Sequence, residues 1–373
     1  MNAPVSIIGG SIAGLFAGYL LAREGVPVRV YEAQACFAQS TRTLIVTPAW
    51  LSLLDFDPEG AVLNRIRTFE LISRAASVRI PLREPDLVLE RGRILRMLAR
   101  KVQGAGGDLV FGCRLEGIEN HRPECVLRLS HGDGEERTVA SHVLGADGLH
   151  SAVARAVGKD HQVAILQARV VLPSDLAPDT VRVWFDRQST RFFYWLIPES
   201  RHTGAAGLIA ETPEEAKRAL ERFLAAHGLE PLEYQADRVP LHPWRLRSGA
   251  PAVGGRVLLA GDAAGQVKVT TVGGVVTGMR GAAAAARSLL RGTSYARELR
   301  PLRRELDAHA LVRRALDGFA DEDYDELLRL LNRRGLRVLN AYPRDRLAHA
   351  FWRLLPAQPC WLMLGARALV RGL

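Results

Sequence analysis

Cysteine is scarce in this chain of 373 residues. Cys36, Cys113, Cys125 and Cys360 stand far apart, with no CxxC and no paired histidine spacing. That excludes a secreted disulfide framework and a zinc site, so no metal is expected, and it suits a reducing cytoplasm. Long apolar runs are nearly absent as well. The one uncharged run of bilayer length, residues 5–22, is broken by glycines at 9, 10, 14 and 18 and changes from strand period to helix period inside the run. No positive charge precedes it, as a secretory signal would require. Neither a spanning segment nor a targeting signal is expected. Zinc-finger spacing, an RNP-like aromatic strand and a heptad-linked basic region are all missing, so nucleic acid is not an expected partner despite a formal charge of +10. Nor is there an acid-base or nucleophile constellation, since the ten histidines are scattered.

What is present is ordinary globular material. At 48% hydrophobic and 24% charged residues, the chain has enough apolar content for a sizeable core. Its length suggests two or three domains. The positive charge is concentrated at the end. From residue 329 onwards nine arginines (329, 333, 334, 337, 344, 346, 353, 367, 371) face Asp345 alone, which places +8 of the +10 there. Phe351, Trp352, Trp361, Leu362 and Met363 are interleaved with them. The mixture suits a helix lying on an anionic membrane surface, and equally a solvated basic face on a packed helix.

Periodicity predicts a strand over 5–8, a helix over 12–24 and a strand over 28–31, a β-α-β unit. A helix over 91–103 follows, then hairpins over 108–144. Strands are expected over 163–172, 181–185, 192–197 and 204–209, a helix over 213–227, a strand over 256–260, and mostly helix after 275. This order predicts an α/β fold: a discontinuous Rossmann-like domain, an inserted antiparallel-sheet domain and a helical C-terminal tail.

Between the first strand and helix lies Gly9-Gly10-Ser11-Ile12-Ala13-Gly14, and Glu32 ends the second strand eighteen residues after Gly14. In the dinucleotide fingerprint, glycines permit the tight turn, the approach of the pyrophosphate and the packing of helix on strand, while the acid takes the ribose hydroxyls. Ser11 stands at the second glycine position, where its hydroxyl could donate to the pyrophosphate. Two later strand ends read Gly145-Ala-Asp147-Gly148 and Gly261-Asp262-Ala263-Ala264-Gly265. With the first turn, these resemble the three motifs of flavoproteins related to aromatic-ring hydroxylases. The resemblance implies FAD, with Asp262 on the ribityl chain, and residues 1–75, 85–160 and 250–290 as the FAD-binding domain. Residues 161–249 then form a substrate domain and 291–373 the helical region.

Within that superfamily, residues 261–278 with Gly273 and Gly274, the strand Phe193-Tyr194-Trp195-Leu196-Ile197-Pro198, and Ala320-Asp-Glu-Asp-Tyr-Asp-Glu-Leu-Leu resemble the geranylgeranyl reductase branch. The resemblance implies that Arg91 contacts FAD phosphate, that the 273–274 glycines serve the flavin ring, and that Tyr194 and Trp195 are candidates for a substrate wall. The chain departs from the branch in three places. Val269 replaces a proline and Val272 the first of three glycines, Ala154 stands where an arginine is usual although Arg155 follows, and residues 39–46 lack the cysteine-and-glycine segment. Flavin halogenases share the Trp-x-Ile-Pro ending but need a lysine well before it. The lysines here are 101, 159, 217 and 268, none between the second strand and Arg91.

The expected function is an FAD-dependent oxidoreductase that reduces carbon-carbon double bonds of a polyprenyl or related lipid chain. The alternatives are a flavin monooxygenase and a non-catalytic flavin-fold protein that docks through its basic tail. Only one dinucleotide fingerprint is visible, so NAD(P)H or another external reductant must reach the flavin by transient docking. A cytoplasmic protein, peripheral on the membrane, is the matching location.

Overall fold

The computed structural model describes residues 3–37, 42–121, 124–132, 134–154, 162–241 and 255–371. Arg155, Lys159 and residues 39–41, all used in the sequence reading, lie outside them. The chain divides into two compact units.

The first unit comprises Met1–Thr41, Arg91–His161 and Pro240–Leu306. Its parallel sheet has the order Val257–Leu259, His142–Gly145, Val5–Ile8, Val28–Glu32, Asp108–Phe111. The inner strands read VSII, HVLG and VRVYE and are buried at most positions, as parallel strands covered on both faces must be. Helix Ile12–Ala22 follows the central strand and is buried along most of its length. It sits close to the sheet because Gly18 has no side chain: a Cβ there would lie 3.1 Å from Val30 Cγ2. Helix Arg91–Gly104 buries Ile94, Leu95, Leu98, Ala99 and Val102 on one face, and helix Val275–Arg291 buries Ala282, Ala284, Ala285 and Ala286.

The segment expected to be all hairpins, 108–144, divides its strands between two sheets. Asp108–Phe111 and His142–Gly145 join the parallel sheet. Only Cys113–His121, Glu124–His131 and Gly134–Ala140 form an antiparallel sheet of three strands. Cys113, Leu115, Cys125, Leu127 and Leu129 from that sheet pack with Ile8, Val143 and Leu259 in one core.

The second unit comprises Arg42–Glu90, Gln162–Val239 and Asp307–Leu373. The units therefore cut the chain at other places than the expected domain bounds: residues 42–90 belong to the second unit, and 291–306 to the first. Eight strands form its sheet, in the order Pro231–Pro240, Gln162–Val171, Thr203–Ala210, Tyr194–Pro198, Thr180–Trp184, Val62–Ile72, Ser77–Glu90, Thr43–Val46. From Gln162–Val171 to Thr43–Val46 the pairing is antiparallel, except that Thr180–Trp184 runs parallel to Val62–Ile72. Four of these strands, Thr43–Val46, Val62–Ile72, Ser77–Glu90 and Pro231–Pro240, have no counterpart in the sequence reading. Register shifts at Val62/Asn64 and Ile66/Thr68 break the period-two pattern, and Pro81 and Pro85 inside Ser77–Glu90 read as strand breakers.

Helix Pro213–Ala226 starts with a capping box between Thr212 and Glu215. It covers one face of this sheet, packing Ala216, Ala219, Leu220 and Phe223 against Tyr194, Leu196, Ala206 and Leu208. The C-terminal helices are Asp321–Leu330, Arg333–Ala341, Leu347–Ala357 and Pro359–Arg371. Asp323, at the start of the first, accepts from Arg367 Nη2 at 2.8 Å and from Arg371 Nη1 at 2.7 Å in the last. No described helix is long and apolar enough to cross a membrane.

Candidate functional site

The central strand of the parallel sheet ends in a turn that only glycine can make. Gly9 has φ +104°, and a Cβ on it would lie 2.5 Å from the Ala146 carbonyl oxygen and 2.6 Å from Asp147 Cα. A Cβ on Gly14 would strike the Gly9 carbonyl oxygen. The turn thus presses against the strand end that carries the second motif, and the helix against the turn.

Helix Ile12–Ala22 is capped by Ser11, whose Oγ accepts from Gly14 N at 3.1 Å. That contact uses an oxygen lone pair and leaves the hydroxyl proton to donate. The amides of Ile12 and Ala13, in the first turn, have no acceptor within the helix, and no acidic side chain lies in that turn. Such a terminus favours an anion through its aligned peptide dipoles. Glu32 closes the turn from the side: Oε2 accepts from Gly10 N at 2.7 Å and Oε1 from Gln34 N at 2.9 Å.

The third motif meets the same helix end. Gly261 has φ +64°, and a Cβ on it would lie 3.1 Å from Ala13 Cβ. Gly278 is held as closely, its Cβ position 3.1 Å from Gly261 Cα. Asp262 extends toward Gly274, with Oδ1 2.9 Å from where a Gly274 Cβ would stand. Behind the loop is a buried polar network that sequence reasoning missed. Gln266 Oε1 accepts from Gly261 N at 2.8 Å, Gln266 Nε2 donates to Tyr295 Oη at 3.3 Å, and Tyr295 Oη donates to Leu259 O at 2.6 Å. Burial pushes the Tyr295 phenol well above its ordinary range, so it remains a hydrogen-bond donor. The only sequence signal for this network is a glutamine inside a run of small residues.

Three motifs spread over more than 250 residues therefore converge on one helix N-terminus. Glu32 and Asp262 follow strands separated by three inter-strand steps, about 14 Å at the usual spacing. That is the reach of an extended dinucleotide laid across the strand ends. The glycine cradle, the acid-free helix end and the two flanking carboxylates all fit FAD.

Other expected residues have different surroundings. Asp147 turns toward its own chain, accepting from Ser151 Oγ at 2.5 Å and Ala152 N at 2.7 Å. Burial raises its carboxyl despite these donors. Arg91 is half-buried at the first position of its helix. Val272 has φ +49°, the one non-glycine residue with positive φ among those described, and Val269 beside it is buried.

In the second unit, Tyr194 and Trp195 point to opposite faces of their strand. Tyr194 is core rather than wall: its ring stacks on Phe223 with centroids 4.6 Å apart, beneath helix Pro213–Ala226. Trp195 takes the other face, in register with Gly207, which in turn pairs with Gln167. A Cβ on Gly207 would lie 2.5 Å from Trp195 Cζ2, so the indole lies over that glycine. Trp195 Nε1 is buried with no hydrogen-bond partner among the described residues.

The fold and the site define a dinucleotide-binding flavoprotein. The family model described as FAD binding domain matches residues 2–300, and the chain belongs to that family. It is an FAD-dependent oxidoreductase. It is 26% identical, over 92% of its length and 97% of the relative's, to digeranylgeranylglycerophospholipid reductase 2 of Methanothermobacter thermautotrophicus. It is also 26% identical, over 76% of its length and 60% of the relative's, to aklavinone 12-hydroxylase RdmE of Streptomyces purpurascens. Among solved structures, a geranylgeranyl bacteriochlorophyll reductase-like protein of Thermoplasma acidophilum superposes with a TM-score of 0.81 at 18% identity, covering 97% of this chain and 98% of that one. That likeness is one of fold.

Proposed function

We propose that this protein reduces carbon-carbon double bonds in a polyprenyl or related lipid chain. The observation that carries the reading is the end-to-end match to a reductase of digeranylgeranylglycerophospholipid, joined to the three converging motifs. Once bound and reduced by an external donor, the flavin of FAD would supply the hydride, with the proton that completes the addition coming from solvent. Ser11, the first-turn amides of Ile12 and Ala13, and Glu32 and Asp262 at either end bind and orient the cofactor. Arg91 adds a cation for its phosphates, and Gly273 and Gly274 allow close backbone approach to its ring. Asp147 shapes the turn beside Gly9 rather than reaching the cofactor. Trp195 and Ile197, with Ile209 on the same sheet face, offer a buried apolar surface suited to an isoprenoid chain and to excluding water.

The test is to reduce the protein chemically, mix it with a lipid extract with and without oxygen, and follow product masses. Gain of hydrogen pairs without oxygen supports reduction. Gain of one oxygen atom only in air would establish hydroxylation, the second reading, which the hydroxylase relative favours.

We further infer that the C-terminal helices settle on an anionic membrane surface from the cytoplasmic side. The support is Trp352, Met363 and Val370, 74%, 75% and 72% exposed on the last two helices, together with Arg353 at their surface.

A further inference from the structure

Gln266 is fully buried in the loop between Asp262 and helix Val275–Arg291. It holds Gly261 from both sides: its Oε1 accepts from Gly261 N at 2.8 Å, and its own backbone N donates to Gly261 O at 3.1 Å. The side-chain amide can stand only this way round, because its oxygen must face an N–H. Nε2 is thereby turned to Tyr295 Oη at 3.3 Å, whose proton goes to Leu259 O at 2.6 Å. This chain of donors begins at Gly261 N and ends two residues earlier at Leu259 O, while Ala260 between them donates to Gly145 O at 2.9 Å. The Gln266 carbonyl accepts from Thr277 Oγ1 at 2.5 Å, which ties it to the following helix. Gly281 of that helix makes the room, since a Cβ there would strike Gln266 Oε1.

The clamp bears on the cofactor because of what Gly261 touches. A Cβ on Gly261 would lie 3.1 Å from Ala13 Cβ, at the helix end that receives the pyrophosphate, and Asp262 follows it directly. Glu32 and the first glycine turn serve the adenosine half. Asp262, three inter-strand steps from Glu32, serves only what lies beyond the pyrophosphate. A buried amide that loses its acceptor costs free energy, and a turn with a left-handed glycine can shift to bring that amide to water. In the free protein the turn would then spend only a fraction of its time in the binding arrangement, and the dissociation constant rises by the inverse of that fraction.

We propose that Gln266, backed by Tyr295, is a positioning residue that presets Gly261, and hence Asp262, for the flavin half of FAD. The proposal rests on the flavin-site reading and is independent of the lipid substrate. It is tested by comparing the binding of FAD with that of ADP, which carries the adenosine and the pyrophosphate but no part that reaches Asp262. Gln266→Met keeps the length of the side chain and removes both of its hydrogen bonds. It is expected to weaken FAD binding about tenfold or more while changing ADP binding less than about threefold. Tyr295→Phe leaves Gly261 N its acceptor, so it is expected to weaken FAD binding less than Gln266→Met does. A smaller loss of FAD affinity in the Met variant, a larger change for ADP, or a greater loss in the Phe variant overturns the proposal. If the Met variant does not fold, Gln266→Leu is measured in its place; failure of both to fold assigns Gln266 to the loop's architecture and also overturns it. A wild type that binds FAD but not ADP shows that affinity does not divide between the two ends, with the same consequence. A wild type that binds no FAD would instead defeat the flavin-site reading itself.

Discussion

Gly10 N donates to Glu32 Oε2 at 2.7 Å, so the side chain that ends the second strand also fastens the glycine turn that follows the first. With Gln34 N on the other oxygen, both oxygens keep a lone pair for a ribose hydroxyl. In Glu32→Gln one acceptor becomes an amide nitrogen, which faces either a backbone donor or the ribose unfavourably. FAD affinity is expected to fall about tenfold, or about 1.4 kcal/mol, in a fluorescence-quenching titration. Unchanged affinity would remove Glu32 from the site.

Gly14→Ala is expected to act more severely. The added methyl meets the Gly9 carbonyl oxygen, which is backbone and cannot rotate away. Overpacking of this kind costs about 1–3 kcal/mol, and it also moves the helix end off the turn. Both flavin content on purification and the denaturation midpoint should drop. Normal flavin content would show that the turn can relax.

The glycine turn was legible in the sequence because its requirements are local: a buried strand, a glycine at φ +104° and a helix with a serine cap. The second unit was read less completely. Its strands Val62–Ile72 and Ser77–Glu90 carry bulges and prolines, so the alternation that marks a strand is lost. The faces of the aromatic strand were likewise hidden, because adjacent Tyr194 and Trp195 look equivalent until the covering helix takes one of them. The Gln266–Tyr295 network joins residues 29 apart through buried side chains, which no periodicity reports.

Val272 can be tested through its backbone. A β-branched residue at φ +49° is strained by about 1–3 kcal/mol. Val272→Gly removes that strain but adds freedom to the unfolded chain, worth about 0.5–1 kcal/mol. The net expectation is a gain of about 1 kcal/mol in denaturant unfolding with an unchanged slope. A loss would mean that the valine side chain holds the loop by packing.

The cysteines should divide into two classes. Cys36 and Cys360 are exposed, while Cys113 and Cys125 are buried. Burial pushes the Cys113 thiol up to about 11. A thiol reagent near pH 8 should therefore label Cys36 and Cys360 quickly and the other two only after unfolding. The folded state holds the Cys113 proton more tightly than the unfolded chain does, whose thiol titrates near 9.0. This contribution to stability is complete below that value and is lost as pH rises toward about 11. Rapid native labelling of Cys113 would contradict its place in the core.

The last prediction concerns the tail, whose charge is partly spent within the fold. Arg344 pairs with Asp86, Arg367 with Asp323 and Glu326, and Arg371 with Asp323. Each unpaired surface arginine contributes roughly 1 kcal/mol on an anionic bilayer, screened beyond about 10 Å at 0.1 M salt. Three paired residues reduce that sum, so contact of Trp352, Met363 and Val370 with lipid must supply much of the attachment. Sedimentation with acidic liposomes is expected to weaken at high salt without vanishing, and the double variant Trp352→Ser, Met363→Ser should abolish what remains. If the double variant sediments like the wild type, or neutral liposomes recover the protein equally well, these helices are packed structure with a solvated face and the membrane reading fails.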